Sequence, residues 1–125
     1  MGQRFLIDTN VVIDFSHDIF SENSKKFVAK ILNREPIISA ITKIELLSFS
    51  VVPSQIEDFV RYASIIGYND SIIEKTIEIR KHYRIKLPDA IIAATALVHN
   101  LTLLTRNITD FRNIEYLNVI NPHDL

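Results

Sequence analysis

Five polar side chains stand where this sequence should bury apolar ones or turn sharply. Asp8 directly follows the apolar run FLI, Glu45 falls within AITKIELL, Asp89 opens DAIIAATALV, and Asn107 and Asp110 follow LTLLT. A carboxylate beside a core loses hydration, so each needs a partner or a task. Carboxylates that converge without cationic partners also raise one another's pKa, and a divalent cation relieves that repulsion. The chain has no cysteine, and His17, His82, His99 and His123 are scattered rather than spaced as a ligand pair, which argues against zinc. Oxygen ligands alone favour Mg²⁺ or Mn²⁺. Mg²⁺ retains several waters and binds through a few carboxylates plus substrate phosphate oxygens, so the acids point to phosphate-ester chemistry.

Each acid also has a structural role open to it. Asp8 can cap the helix that follows, Glu45 can partner Thr42 in a capping box, Asp89 can complement a helix dipole, and Asp110 can serve a turn. Against the capping role, Glu45 lies on an apolar arc between Ile41 and Phe49, shared with Ile44, while Lys43 points away. Thr9, Asn10 and Thr105 are placed to steady ligand carboxylates or metal waters, or to act as caps and turn formers.

These residues need elements to bring them together. Hydrophobic periodicity predicts a strand over about 4–8, a helix from about 10, a helix over 21–34, a strand over 36–39 and a helix to about 50, capped by Ser39 or Thr42. Pro53 closes that helix, another runs over 54–66 with Gly67 as its terminator, and Asn69 or Asp70 caps a further one that ends in the basic stretch RKHYRIK. The nearly all-apolar segment 89–99 reads as a buried helix with Pro88 in its first turn, followed by strands LTLLT over 101–105 and YLNVI over 116–120. Alternating strands and helices make an α/β fold, a mostly parallel sheet covered on both faces. In such sheets ligands bind beyond the carboxyl ends of the strands, where Asp8, Glu45, Asp89 and one of Asn107 or Asp110 would meet.

The 125 residues suit one domain, and 47% hydrophobic with 23% charged residues is ordinary for a globular chain. With no cysteine to oxidise, a reducing cytoplasm is the expected setting. Asp8 breaks the first apolar segment too early for a signal peptide, MGQRFL lacks the hydroxyl residue of an acylation pattern, and AIIAATALV is too short to span a membrane. The net charge of −1 does not by itself favour a nucleic-acid partner.

Four strings in order, FLIDTNVVID, ISAITKIELL, LPDAIIAATAL and LLTRNITDF, give the chain a resemblance to the PIN domain family, and more narrowly to its VapC-type toxins, from residue 5 to about 120. The resemblance implies a three-layer α/β/α sandwich and a Mg²⁺- or Mn²⁺-dependent ribonuclease site, held inactive by a cognate antitoxin protein. It also implies Asp8, Glu45 and Asp89 as the acidic triad, with a fourth position at Asn107 or Asp110. Under it, Arg80, Lys81, Arg84, Lys86 and Arg106 could hold RNA phosphates and Tyr83 could stack on a base, although cations at a helix C-terminus also meet its dipole. Lys25, Lys26, Lys30 and Arg34 read as a solvated helix face. Phe49, Val51, Val52, Phe59 and Tyr62 are more apolar surface than so small a core must hold, which suits a homodimer or an antitoxin helix, with Phe59 assigned to the core.

Two other readings share these residues. A doubly wound phosphoryl-transfer domain also puts an aspartate after a strand, but a phosphatase of that type wants a second aspartate where Asn10 stands, and a receiver wants a lysine near the last strand, where Arg106 stands. A non-catalytic RNA- or protein-binding module could carry the same fold and acids.

Overall fold

The computed structural model describes residues 3–125; Met1 and Gly2, where an acylation pattern would begin, lie outside them. Five short strands alternate with seven helices among the described residues. They run β1 (Phe5–Ile7), α1 (Thr9–Ser16), α2 (Glu22–Arg34), β2 (Ile37–Ser39), α3 (Ala40–Leu47), α4 (Ser54–Tyr62), β3 (Ser64–Ile66), α5 (Asp70–His82), α6 (Leu87–Val98), β4 (Thr102–Leu104), α7 (Ile108–Phe111) and β5 (Val119–Ile120), with a closing 3₁₀ turn at Pro122–Asp124.

Every strand pairing is parallel. β4 lies between β1 and β5, β2 pairs with β3, and β1 runs beside β2. Side chains alternate across the sheet. Leu6, Ile37 and Leu103 enter one apolar cluster with Ile72, Ile79, Ile92 and Phe111 from α5, α6 and α7. Their neighbours Ile7, Ile38 and Leu104 enter another, with Val11, Val28, Leu46, Ile56 and Val60 from α1 to α4. Strands buried on both faces must be apolar at every position, which is why FLI, II and LL read as unbroken runs. The layers are therefore helix, sheet, helix, as expected.

Caps place the helix starts. Ser21 Oγ accepts from Ser24 N–H at 3.3 Å, Ser39 Oγ from Thr42 N–H at 3.2 Å, and Asn69 Oδ1 from Ile72 N–H at 2.9 Å. Each satisfies a donor that the first helical turn leaves unpaired.

Three expected boundaries are corrected. The helix expected to reach residue 66 stops at Tyr62, because Ser64 N–H bonds the Pro36 carbonyl at 2.8 Å and the β-branched Ile65 and Ile66 continue as strand β3 beside β2. Gly67 has no positive φ and makes no left-handed helix terminator. α3 ends at Leu47 rather than near 50, where the Ser48 hydroxyl turns back onto the Ile44 carbonyl. Only Val119–Ile120 of YLNVI is strand, since Tyr116 sits at φ 70°, outside the extended region.

Candidate active site

Strand β1 delivers Asp8 to the carboxyl edge of the sheet, where its N–H still bonds the Leu104 carbonyl at 3.0 Å. The side chain is only 4% exposed, and both oxygens are engaged. Oδ1 accepts from Thr9 N–H at 2.8 Å, capping α1, and Oδ2 accepts from the Thr105 hydroxyl at 2.7 Å and the Asn10 amide at 3.0 Å. Burial pushes the Asp8 pKa up; the Thr105 and Thr9 hydrogen bonds oppose this, and the Glu45 charge adds to it.

Thr105 and Asn10 tie the end of β4 to the start of α1. The Thr105 hydroxyl oxygen accepts from Asn107 N–H at 3.1 Å and stands 3.3 Å from the Asn10 amide nitrogen, while Asn10 Oδ1 accepts from Arg106 N–H at 3.0 Å. The Thr9 hydroxyl donates to Glu45 Oε1 at 2.6 Å. Glu45 is half-buried on the side of α3 that carries the buried Thr42 and Leu46. Ile44, expected to share its arc, is instead 52% exposed: three residues beyond Thr42 returns Glu45 to the inner face, whereas two residues turns Ile44 outward.

Asp89 stands in the first turn of α6, half-buried. Its pKa is pushed up to about 6, first by burial and then by the charges of Asp8, Asp110 and Glu45, with Lys86 acting weakly in the other direction. Four carboxylates from four separate elements therefore feel one another. Among the described residues none of the four forms an ion pair. Nor, among the described residues, do three carboxylate or imidazole groups stand close enough to hold a metal ion directly as they are. Oxygen donors set apart but mutually repelling suit a hydrated divalent ion, one bound through a few carboxylates with water completing its shell. Asn107 and Asp110 differ in placement. Asp110 lines a cavity together with Asp89 and repels it, whereas Asn107 is exposed and its backbone N–H braces Thr105.

The basic residues divide. Arg80, Arg84 and Lys86 line a half-open cavity of about 660 Å³ that Asp89 and Asp110 also line. Lys81 is exposed on α5 outside it. Arg106, expected to meet phosphate, is turned onto Asp14, its Nη1 lying 2.9 and 3.1 Å from the two carboxylate oxygens. The pull of a buried carboxylate outweighs an open position at the rim. Tyr83 is fixed rather than free to swing: its phenol oxygen accepts from Glu115 N–H at 3.1 Å and its ring packs on the apolar cluster while also lining the cavity.

Asp14 itself escaped the sequence reading. It is 3% exposed and also meets His123 Nε2 at 2.8 Å, whose ring stacks on Phe20 with centroids 4.3 Å apart. The signal was present, since Asp14 is a second acid inside the same apolar string as Asp8. The other histidines, His17, His82 and His99, are exposed.

The family model for the PIN domain matches residues 5–115. The chain belongs to the PIN domain family. This PIN domain is 36% identical over 95 residues to Ribonuclease VapC1 of Rickettsia felis, an alignment covering 74% of the chain and 64% of that relative's own length. It is 28% identical to Ribonuclease VapC of Rickettsia bellii, across 92% of the chain and 93% of the relative. Among solved structures, a toxin-antitoxin complex from Klebsiella pneumoniae contains a chain that superposes with a TM-score of 0.76 at 32% identity, covering 96% of this PIN domain and 98% of that chain.

Proposed function

We propose that this PIN domain is a Mg²⁺- or Mn²⁺-dependent endoribonuclease and the toxin of a toxin–antitoxin pair, acting in the cytoplasm. The observation that carries the reading is the set of four carboxylates, Asp8, Glu45, Asp89 and Asp110, gathered from four elements without an ion pair among the described residues, where burial first and then the other three charges lift the Asp89 pKa to about 6. The ribonuclease names of two relatives and the toxin-antitoxin complex found for a third support it.

Asp8 and Asp89 would hold the ion, with Glu45 and Asp110 beside it. When bound, the ion supplies Lewis-acid polarisation of a scissile phosphate and a lowered pKa for water. The chain's own residues do the rest. Thr105, Asn10 and the Thr9 N–H hold the Asp8 carboxylate in one orientation, so ordering it adds little cost on loading. The Thr9 hydroxyl fixes one oxygen of Glu45, whose other oxygen is left to accept a proton from the attacking water.

The phosphoryl-transfer alternative loses support on two contacts. Asn10, standing where a phosphatase wants an acid, is committed to Asp8 and to the Arg106 N–H, and Arg106 is committed to Asp14.

The partner half of the proposal rests on apolar surface. Val51 and Tyr62 are 82% and 79% exposed, and Ile44, Leu47 and Phe49 on or just after α3 are exposed as well, while Phe59 and Val52 are half-buried against the core. An antitoxin helix or a second copy would cover it.

Incubating the protein with RNA and Mg²⁺ or Mn²⁺ beside an Asp89→Asn variant tests the reading. The Asp89 carboxylate accepts no hydrogen bond among the described residues, so this substitution spares the fold, whereas Asp8→Asn would set an amide N–H against donors that Asp8 now accepts. Metal-dependent cleavage by the parent and almost none by the variant is expected; equal cleavage by both defeats the assignment.

A further inference from the structure

Asn113 and Thr109 were singled out by nothing in the sequence, yet both line the 660 Å³ cavity that reaches Asp89 and Asp110. Its volume falls within the range of about 300–1,000 Å³ typical of sites that take a small organic group. One side is cationic, formed by Arg80 at the end of α5 and by Arg84 and Lys86 in the connection to α6. The apolar wall is formed by Tyr83, Ile85 and Ile114, with Tyr83 held rigid by its bond to the Glu115 N–H.

The charged groups in this cavity are separated rather than paired. Among the described residues Arg80, Arg84 and Lys86 form no ion pair, although two carboxylates line the same space. Nor do the side chains of Thr109 and Asn113 form a hydrogen bond there. Unpaired cations, a flat rigid apolar wall and a free amide are the three kinds of contact a nucleotide uses: phosphate neutralisation, base packing and edge recognition.

We propose that this cavity is the subsite for the nucleotide next to the scissile phosphate, with Arg80, Arg84 and Lys86 on its backbone and Asn113 on the edge of its base. The inference rests on the ribonuclease reading and adds to it where substrate preference arises. An acidic peptide would satisfy the cations but meet Asp89 and Asp110 with like charge, whereas an RNA strand can run from the cations to the carboxylates with a divalent ion between phosphate and acid.

The test measures binding, not cleavage. Fluorescence anisotropy with labelled single-stranded RNA homopolymers in EDTA is run on the parent, Arg80→Ala/Arg84→Ala, Asn113→Ala and a Lys30→Ala control on the far solvated face of α2. All four positions are exposed, so the fold is retained, and circular dichroism verifies it. The double variant is expected to bind every homopolymer about tenfold or more weakly, with the slope of log affinity against log salt reduced by roughly 1.4, about 0.7 per lost phosphate contact on a single strand. Asn113→Ala should weaken one homopolymer several-fold more than the others and leave the slope unchanged, and Lys30→Ala should change neither. Binding by the double variant equal to the parent, no binding by the parent, or displacement of RNA by an Asp/Glu-rich peptide that the double variant binds equally well would each overturn the subsite. Cleavage with none of these contrasts sinks the subsite alone; the contrasts without cleavage sink the nuclease reading alone.

Discussion

Replacing Asp89 by Asn should make the metal-free protein more stable at neutral pH, although Asp89 is proposed to hold the ion. Its folded pKa of about 6 lies above the ordinary 3.8, so the native state holds this proton more tightly than the unfolded chain does. The sign follows: the penalty is absent below about pH 3.8, grows as pH rises, and is complete above about 6. At roughly 1.4 kcal/mol per pKa unit the shift is worth about 3 kcal/mol, which solvent reaching a half-buried group lowers to about 2. Losing a charge from the first turn of α6 takes back about 0.3–1 kcal/mol of helix-dipole stabilisation. The net gain is about 1–2 kcal/mol, or roughly 4–8 °C in Tm for a chain of this size. Thermal unfolding of parent and variant in EDTA at pH 4 and pH 8 reads it directly. A rise at pH 8 that vanishes at pH 4 is expected. A variant no more stable at pH 8, or one equally stabilised at both values, refutes the claim that burial and the neighbouring carboxylates together penalise the ionised Asp89. Added Mg²⁺ or Mn²⁺ should raise the parent's Tm more than the variant's.

Cleavage at limiting Mg²⁺ should rise as pH passes about 6, and the midpoint should fall as metal is raised, because ion and proton compete for Asp89; a pH–rate series at two metal concentrations checks both. Thr105→Val removes the buried hydroxyl 2.7 Å from Asp8, and should cost about 1–2 kcal/mol in urea unfolding while cutting cleavage, with Thr105→Ser restoring much of each. Asp14→Ala leaves Arg106 and His123 without their shared acceptor and should cost about 2–4 kcal/mol, whereas Lys25→Ala, which breaks an exposed, solvent-screened pair with Asp18, should leave the urea midpoint almost unchanged. Ile38→Ala, fully buried in the face covered by α1 to α4, should cost about 2–5 kcal/mol with m unchanged.

What could be read from sequence followed what local pattern encodes. FLI, II and LL announce strands because both faces are buried, and Ser39 and Asn69 announce helix starts because the cap is a contact three residues long. Strand β3 was hidden because its three residues follow a strong helical stripe, and long-range pairing with β2, entered through the Ser64 N–H to Pro36 carbonyl bond, makes them strand. The convergence of Asp8, Glu45 and Asp89 was legible because the carboxyl ends of parallel strands share one edge. Which cations stay free was not. Arg80 and Arg106 look alike in the sequence, and the difference lies in Asp14, a buried acid 92 residues from Arg106 along the chain.

Capping a helix and serving the proposed site are compatible roles for Asp8. One oxygen takes the Thr9 N–H that α1 leaves unpaired, and the other is gripped by Thr105 and Asn10 from the end of β4 and the start of α1. A cap alone needs only the first of these, and an exposed cap would keep an ordinary pKa. Here the same contacts that close the helix hold a buried carboxylate against Glu45, so local folding supplies orientation while burial supplies charge strain. The bracing extends outward: Asn10 is held by the Arg106 backbone, Arg106 by Asp14, and Asp14 by His123 in the closing turn. Helix caps and the two ion pairs on the buried Asp14 thus fix the Asp8 side of the proposed site in advance, and a carboxylate fixed in advance would pay less ordering cost on taking up an ion.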